Sequence, residues 1–427
     1  MRKSVFIFLI LIAIPICSKA ETTVGKIDFD VREESEAIVT ARLSVTGYKW
    51  SDSGWSPPLE IRLDGKRAAS LIPVRGEESA NYKYFLGPVE EGKHQVELID
   101  PADGRQGVNL DLFYTVVTQK DDPEYRLLRY APIILGREDS ESTDVPIFAW
   151  VVERKRNAGD ILEYSIVWTN EDGGTPTSEL MARYGRTVDI EYVYRVEFDA
   201  EGQVVSETFQ GSGHKETHYR GKKLGDHPFL RTCTKNNMVS DEGESELIFP
   251  FVPVLFDEEG TRERMLDRET WISRVMHEEL VREKKLTKNL PDPMRVRIDD
   301  VRRYVLVDLE TEPLFSGPRL EVALRLKGSN KWFTADQGVE QMLLGRFGKA
   351  RVGVWVPRGT GPNDILGIRL RPVGDSGGRL NIRALGPLTM LDKEFMPHKI
   401  DVPWEKTRTI TVDGKPLLIK LETSSSE

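Results

Sequence analysis

Apolar and polar residues alternate in short segments along most of the chain, and the alternation has the two-residue period of β-strands. Leu59-Glu60-Ile61-Arg62-Leu63 is the plainest case, and it stops at Asp64-Gly65, a hairpin turn signal. Residues 38–45 and 82–86 read the same way, and Gly92-Lys93 introduces another such segment at 94–100. Further on, 132–136 and 146–152 are apolar runs rich in β-branched and aromatic residues, which suits buried strands. Strands follow at 161–168, 188–198 and 204–209, the last two joined by the loop Asp199-Ala200-Glu201-Gly202. Met265, Trp271, Ile272, Val275, Met276 and Leu280 form a 3.6-residue stripe, which predicts one long helix over 261–285. Asn289-Leu290-Pro291-Asp292-Pro293 then reads as a linker. Strand patterns return at 301–309, 320–326, 350–356, 365–370 and 380–385.

These elements predict a mainly β, multi-module chain. Residues 21–118 form a small sandwich that resembles immunoglobulin and fibronectin type III domains in architecture, a likeness that carries no function. Residues 119–290 form a β-rich middle domain ending in the helix, and residues 291–427 form a second sandwich with a frayed tail. Residues 1–20 stand apart. Arg2 and Lys3 precede an unbroken apolar run at 5–16, and Ser18-Lys19-Ala20 suits signal peptidase. The run is shorter than the ~20 residues that a bilayer-spanning helix needs. The expectation is an exported protein, periplasmic or extracellular, whose mature chain starts at Glu21 and has no membrane span.

Charge narrows the partners. Losing Arg2, Lys3 and Lys19 takes the formal charge from −9 to −12, and no basic stripe interrupts the acidic balance. Nucleic acid and anionic membrane surfaces are therefore excluded as partners. Only Cys17 and Cys233 occur, and Cys17 leaves with the leader, so no internal disulfide can form. Cys233 reads as a buried small hydrophobe.

Candidate chemistry gathers in the middle domain. Glu171-Asp172-Gly173-Gly174-Thr175 is either a turn or a tight loop around Ca²⁺. On an ideal strand Asp189, Glu191 and Val193 share one face, and Ile190, Tyr192 and Tyr194 share the other. The two carboxylates are then an acid/base pair, part of a metal site, or a solvated face. His214, Glu216 and His218 alternate behind Gly211-Ser212-Gly213, and His227 follows with Asp226 beside it, so three of the six histidines fall within fourteen residues. The expectation is that His214, His218 and one of Asp189, Glu191 or Glu216 surround one cleft. That cleft would bind a ligand, or hold a divalent metal (Zn or Ca) on His214, His218 and Asp189. Tyr48, Trp50 and Trp55 are candidates for stacking on sugar rings or for core positions. Phosphate-loop patterns are absent. Two function classes remain. One is a non-enzymatic binding or envelope-associated protein whose partner is a polysaccharide or another envelope component. The other is a metal-assisted hydrolase or lyase acting on an envelope or extracellular polymer.

Overall fold

A computed structural model describes residues 21–52, 58–101, 107–137, 144–156, 159–171, 173–256, 260–315 and 317–421. The leader at 1–20, Trp55 and Asp172 lie outside the described residues. Strands hold 50% of the chain and helices 12%, in several antiparallel sheets, so the chain is mainly β.

The sheets come in three pairs along the chain. The first pair joins Thr22–Val31, Gly92–Asp100, Leu59–Leu63 and Lys66–Leu71 in one sheet, and Ala80–Val89, Ser35–Val45 and Val108–Thr118 in the other. The Asp64-Gly65 turn has positive φ at both residues (49° and 76°), the backbone that a tight two-residue hairpin requires and that glycine accepts without strain. Alternation is kept along Ser35–Val45, where Val39, Ala41 and Leu43 are fully buried.

The middle pair contains a six-stranded sheet in the order Lys215–His218, Val204–Gly211, Asp189–Phe198, Gly159–Trp168, Pro146–Arg156, Val254–Leu255. Its companion sheet pairs Lys223–Leu224, His227–Thr232, Ile133–Leu135 and Ile248–Phe249, with Val239–Ser240 alongside. The third pair is built on Tyr304–Phe315 and Arg379–Leu391 in one sheet, and on Arg319–Leu326 and Ile365–Val373 in the other.

Two apolar cores run through these sheets. One cluster extends without a break from Val39 and Leu98 through Trp150 and Tyr164 to Ile272 and Met276. Residues on both sides of 118/119 contribute to this cluster. The second cluster, Val305 to Leu421, belongs to the third pair alone. The first and middle pairs are further joined by Phe85 N–H donating to Pro250 O at 2.9 Å. His227 lies in this joint with no exposure. Its ring bonds Ala131 O at 2.9 Å and Glu36 Oε2 at 3.1 Å, and it stacks on Phe85 at 4.2 Å between centroids.

The long helix expected over 261–285 is broken into a 3-10 turn at Arg262–Arg264, a short helix at Met265–Arg268 and a longer one at Trp271–Arg282. Glu269 leaves helical geometry at φ −96°, ψ 65°. The apolar stripe explains this: positions three and four after Leu266 are Glu269 and Thr270, so no buried face carries the helix through them. Conversely, Thr177–Tyr184 is a helix that the pattern does not announce. It starts after Pro176, buries Leu180, Met181 and Ala182, and ends at left-handed Gly185.

The joint predicts a measurable loss. His227→Ala leaves Glu36 buried without its partner, so the unfolding free energy should fall by about 3 kcal/mol in denaturant titration. A change under about 0.5 kcal/mol would show that the pair does not hold the two sheet pairs together.

Candidate functional site

Strand Asp189–Phe198 organises the polar centre of the middle domain. Its register against Gly159–Trp168 slips between Tyr164 and Ser165, so Val193 is an extra residue. The slip puts Tyr194 and Val196 on the same side as Asp189 and Glu191, and leaves Tyr192 and Arg195 on the other. This corrects the strict alternation expected from sequence. The side bearing Asp189 and Glu191 is interior, shared with Tyr164, Ile166 and Trp168 across the sheet, so the solvated-face reading does not hold.

Asp189 is 1% exposed. Its Oδ1 accepts from Ile190 N–H at 2.8 Å and its Oδ2 from Asn237 Nδ2 at 3.0 Å, while Arg186 Nη1 lies 3.7 Å away. Burial, reinforced by the charge of Glu191, outweighs Arg186 and pushes the carboxyl up to about 8. Glu171 folds in from the preceding loop and its Oε1 accepts from Thr175 N–H at 2.9 Å. Burial also raises Glu171, against the Thr175 bond and Arg186. The loop requires glycine at 174, where φ is +103° and a Cβ would stand 2.2 Å from Glu171 Oε1.

Glu191 sits between this interior and the surface. Gln210 Nε2 donates to its Oε2 at 2.7 Å. His214 Nδ1 and Arg262 Nη1 stand 4.0 and 3.9 Å from the same oxygen, too far for hydrogen bonds. The His214 and Arg262 side chains are 58% and 37% exposed, so the cluster reaches solvent through them.

Beneath Arg262, Glu263 has no exposure and accepts from Arg346 Nη2 at 3.1 Å. Burial alone would raise Glu263, yet Arg346, Arg262 and Arg186 together pull it down to about 2. The Arg346 and Arg186 guanidiniums lie over the Tyr184 ring at 4.5 and 5.2 Å. Arg186 Nε, Asn237 Oδ1, Glu263 Oε2 and Arg346 Nε are buried without a hydrogen-bond partner in the protein.

The residues singled out in the sequence divide. Asp189, Glu191 and His214 belong to this cluster. Glu216 does not: it accepts from Tyr192 Oη at 2.9 Å and Arg195 Nη1 at 2.5 Å, on the outward side of the sheet. His218 is exposed on the edge strand opposite Thr208. His227 is in the inter-sheet joint described above, and Asp226 pairs with Arg129. Among the described residues, no three His, Cys, Asp or Glu side chains are placed to hold a metal ion. The Zn or Ca set of His214, His218 and Asp189 is therefore not assembled, because Asp189 is interior whereas His218 is out on the edge strand.

Other expectations change as well. Cys233 is exposed rather than buried, with its thiol pKa raised by partial desolvation. For Trp50 the core reading holds, with its Nε1 donating to Glu279 Oε2 at 2.6 Å. Sequence reasoning missed Arg186, Arg262, Glu263 and Arg346. Arg262 and Glu263 fall within the stretch that reads as one long helix, and Arg346 is about 160 positions from Asp189.

Comparison with known proteins adds little. No protein-family model matches the chain, and no curated protein matches it. Two solved structures are similar in part: NLPPya in complex with mannosamine, at 12% identity over 37% of this chain and 80% of that one, and NLPPya in complex with glucosamine, at 11% over 35% and 75%. Both have a TM-score of 0.23, a likeness too slight to bear on function.

The raised Asp189 sets a pH dependence. An acid whose folded pKa exceeds its unfolded value stabilises the fold fully below about pH 4 and loses that contribution as pH rises to about 8. The slope is at most about 1.4 kcal/mol per pH unit. Denaturant unfolding of the native chain and Asp189→Asn between pH 5 and 9 should show the native chain losing stability relative to the variant as pH rises. Parallel profiles would contradict a raised Asp189.

Proposed function

We propose that this chain is a non-enzymatic binding protein acting outside the cytoplasm, and that it takes a glycan at Glu191. The observation that carries the reading is the loose spacing around Glu191 Oε2, with His214 at 4.0 Å and Arg262 at 3.9 Å. Three polar groups converge on one carboxylate, but only Gln210 closes a bond with it. A carboxylate oxygen accepts more than one donor, and a guanidinium presents several donors in a fixed fork. Neighbouring hydroxyls of a sugar supply donors for Glu191 and acceptors for Arg262 and His214. Export rests on the leader pattern at 1–20, and the acidic balance argues against nucleic acid.

Binding is preferred to acid/base catalysis for a steric reason. Asp189, the carboxyl held protonated near neutral pH, is 1% exposed and cannot touch a substrate at the surface. Metal-assisted hydrolysis needs ligands meeting at bonding distance, and no such group is present among the described residues.

The test is a printed glycan array probed with the chain from Glu21 onward, followed by calorimetric titration of the oligosaccharide bound best. Glu191→Gln and Arg262→Gln should each weaken that affinity by about tenfold, or about 1.4 kcal/mol. Absence of array binding, or affinity unchanged in both variants, would refute the proposal.

A further inference from the structure

The joint between the first and middle sheet pairs holds a cleft with different chemistry. Strand Ala80–Val89 meets the 249–254 segment there, through the Tyr84–Phe251 bridge and the Phe85–Pro250 hydrogen bond. Beside them lies a cavity of about 260 Å³, lined mostly by aliphatic and aromatic side chains. Five of the six aromatic residues that line it fall into two sets. Phe249 stacks on Phe251 at 6.0 Å and Tyr84 sits 5.5 Å from Phe251, while Phe148 meets Trp271 edge-on at 6.2 Å. Among the described residues, no ring contact joins one set to the other.

The polar groups are few and unequal. Glu269 is the one acid among the described lining residues, and its Oε2 already accepts from Trp271 Nε1 at 3.0 Å. Arg75 and Lys83 supply two cations. The Arg75 guanidinium stands 5.7 Å from the Trp271 ring centroid and is tied to Glu78, yet its Nε is buried without a partner. Ligand sites are typically apolar clefts with a few convergent polar groups, often at domain joints, and drug-sized ligands occupy upwards of ~300 Å³. This volume therefore suits one or two rings.

We propose that this cleft is a second binding site, separate from Glu191, for a small anion with an aromatic body. The rings take the apolar body by offset or edge-on packing, and Arg75 takes the carboxylate or sulfonate with a charge-assisted hydrogen bond. Glu269 and Glu78 balance the charges of Arg75 and Lys83, so selection for an anion rests on the unpartnered Nε of Arg75.

The test uses the full mature chain and no glycan, so it stands or fails apart from the reading at Glu191. The dye 8-anilinonaphthalene-1-sulfonate is titrated in and then displaced with 3-phenylpropionate or 3-phenylpropanol. Saturable binding of one dye per chain is expected, with the acid displacing it about tenfold better than the alcohol. Arg75→Gln should remove that preference with the near-ultraviolet circular dichroism unchanged, and Ala149→Phe, which fills the cleft, should abolish dye binding. Native protein that binds no dye saturably would overturn the proposal. So would dye binding in Ala149→Phe equal to the native chain, or an acid preference that survives Arg75→Gln.

Discussion

A single guanidinium holds the site-forming parts of the molecule together. Arg351, on strand Gly348–Trp355 of the third sheet pair, has no exposure. Its Nη1 and Nη2 donate to the two oxygens of Asp267 at 2.9 and 2.7 Å, and its Nε and Nη2 donate to Asp308 at 2.6 and 3.0 Å. Nη1 also reaches Glu263 O at 3.3 Å. Bidentate pairing with two carboxylates offsets the desolvation of a fully buried cation, and removing such a centre leaves uncompensated charge in the interior. Arg351 packs just as closely on its other side. A Cβ at Gly185 would stand 2.8 Å from Arg351 Cγ, and one at Gly353 would stand 2.6 Å from Met181 O.

The consequences run straight to the polar cluster. Asp267 fastens the segment that carries Arg262 and Glu263. Gly185 ends the helix Thr177–Tyr184 and hands the chain to Arg186 and then to Asp189. Arg346 comes from the segment just before strand Gly348–Trp355 and donates to Glu263. Three distant stretches thus supply guanidiniums to a centre that holds Glu171, Asp189, Glu191 and Glu263. Their positive charge keeps Glu263 ionised, and burial keeps Asp189 protonated. What is left at the surface is Glu191 with Arg262 and His214 loosely around it, a geometry that a ligand can complete.

Strand positions were legible because burial on one sheet face imposes a two-residue period, which the apolar and polar residues of 59–63 and 320–326 display. The Val193 bulge was not legible. One extra residue flips the face of everything after it, and nothing in Tyr192-Val193-Tyr194 marks where the register slips. The apolar stripe continues on either side of Glu269 and Thr270, so the pattern implies a longer helix than forms. Glu191 and His214 were found through local density, since a polar cluster within one sheet leaves a local trace. Arg346 and Arg351 leave none, because their partners are more than 40 positions away and a lone arginine between strands looks like any solvated cation. Glu216 and His218 were drawn in by spacing alone, which carries no information about which side of the sheet faces inward.

The most direct measurement is hydrogen exchange on the native chain and on Arg351→Met, a change that keeps much of the side-chain bulk and removes the charge. If Arg351 holds the site together, amides of residues 262–268 and 186–191 should exchange at least tenfold faster in the variant, while strand Ala80–Val89 keeps its protection. Faster exchange confined to strand Gly348–Trp355 would contradict that dependence.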